Sequence, residues 1–392
     1  MIAMETDVPD SIRPHLNEIA ERLWADRAVI MVGAGFSKNA GHEFPDWNQL
    51  GDIFYQKAHG VKPDAAQKSF LNVLRLAEEV QAAIGRPALE QLLQSNIPDL
   101  SIEPSLLHVE LLELPWVDVF TTNYDTLLER ASAEVVTRRY EPVVNSEDIP
   151  YALKPRILKL HGSFPSERPF IITEEDYRRY PKDCAPFVNT VQQALLENTF
   201  CLIGFSGDDP NFLQWIGWIR DNLGSDKTQK IYLVGVFDLS SARLQLLAQR
   251  GIIVVDLSCF NGIDKHDHKK ALNKFIKYVR LKKPDALDWP YNPKKLSPIH
   301  GADTLEEIQN ITKEWQRQRQ AYPGWLILPH SNRAILWMYT NAWVSLLPDM
   351  EQSPIGHSGD LSDACSLFLI ILLNFVSNSL KGTGHFKLTT RL

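Results

Sequence analysis

The feature that most constrains this chain is an alternation. Over the first ~285 residues, short runs of β-branched and apolar residues are separated by longer stretches with helical spacing. Ala28–Val32 (AVIMV), Val117–Phe120 (VDVF), Ile157–Leu160 (ILKL), Phe200–Ile203 (FCLI), Ile231–Val236 (IYLVGV) and Ile252–Val255 (IIVV) read as buried strands. Helices are expected at 10–25, over much of 46–97, near 126–133, and at 184–197, 210–223, 240–249 and 266–281. Strands joined by helices require crossover connections, so the expected fold class is α/β. It is a Rossmann-like, doubly wound and mostly parallel sheet with helical insertions, followed by a small α-helical C-terminal region.

The first domain is expected to span residues 1–283. A linker follows at 284–302, within KKPDALDWPYNPKKLSPIHG, whose four prolines rule out continuous helix or strand. Residues 303–392 read as a helical region in which four of the ten tryptophans fall between Trp315 and Trp343. Its apolar run Ala364–Phe375 is shorter than the about 20 residues a bilayer-spanning helix needs, so it reads as a buried helix. The chain closes on GHFKLTTRL with no evident cap, which fits the front part of a longer protein.

A formal net charge of -7 argues against a general nucleic-acid binder, which needs a dense basic face. The four cysteines contain no CxxC pair, so neither a disulfide framework nor a zinc ribbon is suggested. They suit a reducing, cytoplasmic setting, and the N-terminus has no apolar signal core.

Four strand ends carry the residues that point to chemistry. After AVIMV comes Gly33-Ala34-Gly35-Phe36-Ser37, whose glycines permit a tight turn and close approach to a pyrophosphate. Its backbone N–H groups and Ser37 suit phosphate oxygens, although a lone GxG is equally a plain turn. It is not the dehydrogenase fingerprint, because the third glycine position holds Lys38. After VDVF comes Thr121-Thr122-Asn123-Tyr124-Asp125. Thr126 and Glu129 fit a capping box, which leaves the Asn123 and Asp125 side chains free in the loop. A loop Asn is often only a turn former, yet its carboxamide can both donate and accept, which suits a ribose hydroxyl or a water.

After ILKL comes His161-Gly162-Ser163. His161 stands out among the eleven histidines as the one at a predicted strand end followed by Gly, and an imidazole suits a base working near neutrality. After FCLI comes Gly204-Phe205-Ser206-Gly207-Asp208-Asp209-Pro210. Asp209 and Pro210 read as N-cap and first residue of the next helix, leaving Gly204, Ser206 and Gly207 for contact with a nucleotide. In open α/β sheets ligands sit beyond the carboxyl ends of the strands, where all four motifs fall.

In that order, GAGFS, TTNYD, KLHGS and GFSGDDP resemble the SIR2 family, in particular its bacterial NADase branch found in antiphage defence proteins, over roughly residues 10–280. The resemblance implies NAD+ as substrate, with Gly33, Ala34, Gly35, Phe36, Ser37, Thr122, Gly204, Phe205, Ser206 and Asp208 as the binding set. It implies Asn123, His161 and Asp125 at the chemical centre, with His161 as general base. The protein-deacylase members carry two CxxC pairs in the stretch that here, at 164–199, holds only Cys184, so no metal is expected and the acceptor shifts from acyl-lysine to water. The expected reaction is hydrolysis of NAD+ to nicotinamide and ADP-ribose, in an antiphage system acting by NAD+ depletion. The alternatives are a non-catalytic NAD+ or ADP-ribose sensor, and a zinc-free deacylase or ADP-ribosyltransferase. An unrestrained NADase would drain the cell. Homo-oligomer assembly through 303–392, or an activating partner or phage-derived trigger, is therefore expected, with no nucleic-acid or membrane binding.

Overall fold

The computed structural model describes residues 8–284, except 69, 225–227 and 265. The expected linker beyond its first residue, and the expected helical region at 303–392, lie outside the described residues.

Seven parallel strands form one sheet in the order β3-β4-β2-β1-β5-β6-β7. They are β1 (Ala28–Val32), β2 (Asp118–Thr121), β3 (Glu141–Val143), β4 (Arg156–Lys159), β5 (Thr199–Ile203), β6 (Ile231–Gly235) and β7 (Ile252–Asp256). Six are the runs expected from the sequence. The edge strand β3 was not foreseen: it is only three residues long, contains Pro142 and is mostly exposed. Proline is tolerated there because an edge strand has a free N–H side.

The helices longer than four residues are α1 (Arg13–Trp24), α2 (Trp47–His59), α3 (Val73–Ile84), α4 (Arg86–Asn96), α5 (Leu106–Leu112), α6 (Leu127–Ser132), α7 (Glu174–Asp183), α8 (Ala185–Glu197), α9 (Pro210–Leu223), α10 (Ser241–Gln249) and α11 (His268–Leu281), and a single turn at Ala34–Ser37 follows β1. The pleat of each strand feeds two cores. Ala28, Ile30 and Val32 of β1 join Cys201 and Ile203 of β5 in a core covered by α1, α5 and α11. Val29 and Met31 join Phe200 and Leu202 on the opposite face, under α8 and α9. Both faces are therefore dry, which explains why the strands read as unbroken apolar runs rather than alternating ones.

A third core lies off the sheet. Helices α2, α3 and α4, inserted between β1 and β2, bury Phe54, Ala77, Val80 and Leu89 against Tyr124, Leu127, Phe164 and Phe170. Those last four flank the loops that follow β2 and β4, so the inserted lobe braces that end of the sheet.

The strand order reverses direction at β1, which has β2 on one side and β5 on the other. The register brings strand ends level: Val32 pairs with both Thr121 and Ile203, and Thr121 with Lys159. Gly33, Thr122, Leu160 and Gly204 thus begin their loops side by side at the topological switch point, where open α/β sheets form a crevice.

Candidate functional site

The crevice is a cavity of about 420 Å³, within the range of small-molecule sites. Gly33, Ala34, Gly35, Ser37, Thr122, Asn123, Asp125, His161, Gly204, Phe205, Ser206 and Asp208 all line it. Among the residues expected at the site, Phe36 stands apart. Its side chain is buried in the sheet core, edge-on to His108 at 4.7 Å, and its N–H donates to the Gly33 carbonyl.

The glycines serve a different need from the one the sequence suggested. Gly33 N–H donates to the Ile203 carbonyl and Gly35 N–H to the Gly204 carbonyl, both at 2.9 Å, so neither is free for a phosphate. The β1 and β5 loops pack backbone to backbone. A Cβ on Gly33 would lie 2.4 Å from the Gly204 oxygen, and one on Gly204 would lie 2.2 Å from the Phe36 nitrogen. Gly204 also has φ +63°, where side chains are strained. These residues lock two lips of the crevice together.

The TTNYD loop also departs from expectation. Asn123 and Asp125 are buried rather than free. Asn123 Nδ2 donates to Ser37 Oγ at 3.0 Å, and Ser37 Oγ donates to Asp125 Oδ2 at 2.9 Å. The other Asp125 oxygen accepts the Leu127 N–H at 3.2 Å. Ser37 is therefore the hub of a side-chain chain, not an open phosphate ligand. The expected capping box is absent: Thr126 gives its N–H and hydroxyl to Asp99, and Glu129 pairs instead with Lys159 at 3.0 Å. Thr121 Oγ1 ties this loop to β1 by donating to the Val32 carbonyl at 2.8 Å and accepting the Asn123 N–H. Burial pushes the Asp125 carboxyl up, against the opposing pull of Lys159 and the Ser37 hydroxyl.

His161 stands across the crevice, buried and edge-on to Tyr177 at 5.3 Å and Tyr180 at 5.5 Å. Gly162 turns the chain sharply after it with φ +92°, and a Cβ there would meet the Pro169 carbonyl at 2.7 Å. Burial lowers the imidazole below its ordinary value, partly opposed by the Asp209 and Asp176 carboxylates. The ring is consequently neutral at pH 7 and able to accept a proton. Asn211 Nδ2 faces its Nε2 at 3.4 Å, the outer limit of a hydrogen bond.

Asp209 caps α9 through the Phe212 N–H and Pro210 follows at the first helical position, as the sequence indicated. The second oxygen of Asp209 accepts from the Tyr177 hydroxyl at 3.0 Å, which ties this cap to the ring beside His161. Asp208, at the rim, is held by Arg243 and Arg250.

Several lining residues had no sequence signal strong enough to single them out. Tyr177 belongs to α7, whose polar composition and internal Pro181 hide it. Asp46, Trp47 and Asn48 enter from the start of α2. The Asp46–Gln49 capping box that starts α2 is a local pattern that could have signalled a helix start, though not a crevice. Among the described residues no group of three or more His, Cys, Asp or Glu is placed to hold a metal ion. None of their helices is long and apolar enough to cross a membrane.

Residues 117–255 match a protein family described as a SIR2-like domain. Defense-associated sirtuin 2 of Bacillus subtilis is 24% identical over 313 residues, covering 75% of this chain and 30% of that protein. NAD(+) hydrolase ThsA of Enterococcus faecium is 29% identical over 217 residues, covering 53% of this chain and 44% of that one. The ThsA of Cytobacillus dafuensis is 29% identical over 232 residues, covering 57% and 44%. The chain thus spans less than half the length of these relatives. A solved Sir2 homologue in complex with NAD is 13% identical, with a TM-score of 0.37 over 67% of this chain and 94% of the other.

Proposed function

We propose that this chain, which carries a SIR2-like domain, hydrolyses NAD+ to nicotinamide and ADP-ribose. The observation that carries the reading is the meeting of Asn123, from the end of β2, with the buried His161, from the end of β4, in one crevice with the interlocked glycine loops. The names of the ThsA relatives point to the same reaction.

The chemistry fits this residue set. Nicotinamide is a cationic leaving group that departs neutral, so no general acid is needed to protonate it, unlike ordinary glycoside hydrolysis. What is required is a pocket that holds the ribose as an oxocarbenium-like centre develops, and a base for the attacking water. His161 takes the water's proton and Asn123 orients that water or a ribose hydroxyl. Asp125 acts from behind, through Ser37. The loops after β1 and β5 hold the pyrophosphate and the adenosine half. Ala34, Phe205 and Ser206 present the contact surface there, joined by Thr122 from the loop after β2, since the Gly33 and Gly35 N–H groups are already used.

In the cell this activity serves antiphage defence by NAD+ depletion, a role supported by the defence-associated sirtuin relative. It is restrained by self-assembly or by a partner or phage-derived trigger until needed, in the cytoplasm. The test is to incubate the purified full chain with NAD+ and quantify products, alone and with an acyl-lysine peptide. Equimolar nicotinamide and ADP-ribose without peptide supports the reading. Saturable binding of NAD+ that stays intact would make the chain a sensor, and release that depends on peptide would make it a deacylase.

A further inference from the structure

Lys159 is a charged residue in an unexpected place. It is the last residue of β4, two positions before His161, and its side chain is fully buried. Lysines are almost never fully buried unless paired, because taking an ammonium out of water costs several kcal/mol. Two partners compensate here. The Nζ donates to the backbone carbonyl of Asp125 and forms an ion pair at 3.0 Å with Glu129 on α6. One buried cation thus links the strand that carries His161 to the loop that carries Asn123 and to the helix that follows that loop.

The hydrogen-bond chain gives this cation a consequence for chemistry. A serine hydroxyl has one proton to give. While Asp125 is ionised, its Oδ2 can only accept, so Ser37 spends its proton there. Towards Asn123 the hydroxyl can then only accept, so the carboxamide must turn its NH2 to Ser37 and leave Oδ1 to the crevice. With Asp125 protonated, the carboxyl could donate to Ser37, the hydroxyl could donate to Asn123, and the carboxamide could turn over.

We propose that Lys159 is a positioning residue that fixes the direction of the Asn123–Ser37–Asp125 chain and so presents the Asn123 carboxamide oxygen to the ligand. It acts by favouring the ionised form of Asp125 in a setting where burial opposes ionisation. The charged and polar groups acting on that carboxyl are Lys159 and Ser37, which favour the ion, and Glu129, which disfavours it, together with the Leu127 N–H, which favours it. The imidazole of His161 is set first by its burial, which lowers it, and is opposed by a different pair of charges, Asp209 and Asp176.

That division gives tests of opposite sign. The inference rests on the NAD+ hydrolysis reading, and the acid limb of the pH–rate profile is its readout. Lys159→Met removes the supporting charge, so the limb moves to higher pH, by about 1 unit or more. Glu129→Gln removes the opposing charge while keeping Lys159, so the limb moves to lower pH. Since Lys159→Met risks misfolding, Glu129→Gln, which keeps the shape of the side chain and leaves Lys159 in place, stands as the second variant. Shifts of opposite sign support the proposal. Shifts of the same sign, or an Asp125 titration that neither variant moves, would overturn it, because a purely structural brace predicts no change in that titration. A wild-type chain that consumes no NAD+ at any pH counts against the reaction, not against the relay. The 13C carboxyl resonance of Asp125, assigned with Asp125→Asn and followed through pH in the same variants, then decides the relay without turnover.

Discussion

Replacing Gly204 by alanine tests the claim that the β1 and β5 loops are locked backbone to backbone. The added Cβ would lie 2.2 Å from the Phe36 nitrogen, 2.8 Å from the Phe36 Cβ and 2.9 Å from the Gly35 carbonyl carbon. None of these is the end of a flexible side chain, so the loops themselves must part. The φ of +63° adds the left-handed penalty of about 1–2 kcal/mol, and overpacking a tight contact adds about 1–3 kcal/mol. Together they give roughly 2–5 kcal/mol, which lowers Tm by on the order of 5–15 °C in a domain of this size. Two controls separate the causes. Gly60 has φ +76° with nothing within 4 Å of its Cβ, so Gly60→Ala incurs only the backbone penalty. Gly217 lies inside α9 with open space at its Cβ, so Gly217→Ala stabilises by up to about 1 kcal/mol. Differential scanning calorimetry of the three variants, with ADP-ribose affinity measured beside it, checks the order. A Gly204→Ala variant that melts with Gly60→Ala and binds ADP-ribose normally would refute the interlocked-loop argument.

Further outcomes follow from other contacts. Asp118 and Arg156 form a buried two-pronged pair at 2.8 and 2.9 Å between β2 and β4. Asp118→Ala should therefore cost about 3–5 kcal/mol in urea unfolding by stranding the guanidinium. His108 is lowered by burial to about 4, and its Nε2 has no partner. The unfolded chain binds that proton first, so stability falls as pH drops from 6.5 towards 4, by about 3 kcal/mol in all. His108→Phe should flatten that slope in melts recorded between those pH values. Ser37→Ala should leave Asp125 without its hydroxyl donor and Asn123 unanchored, reducing nicotinamide release far more than it reduces folding, as circular dichroism and product assays together will register.

The legible parts of this molecule are those decided locally. Strands β1, β5 and β6 announce themselves because a strand buried on both faces needs an unbroken apolar run, and the glycine that follows β1 and β5 marks the crevice edge. The positions of Asn123 and His161 at strand ends were legible for the same reason. What stayed hidden depends on partners distant in sequence. Ser37 meets Asn123 and Asp125 across 86 and 88 residues, so its role as a hub has no local signature. Thr126 and Glu129 have capping-box spacing, yet the competing partners Asp99 and Lys159 take them, a tertiary override of a local pattern. Within ILKL, read as a buried strand, nothing tells which partners the Lys159 ammonium will find.

The account stands most directly on the initial rate of nicotinamide release from NAD+ by wild type, His161→Ala and Asn123→Ala, each verified as folded. Wild type should release nicotinamide, and each substitution should lower the rate by about 10²-fold or more, as loss of a general base or of its aligned water requires. Release by both variants at the wild-type rate would contradict the assignment of the crevice as the place where the bond is broken.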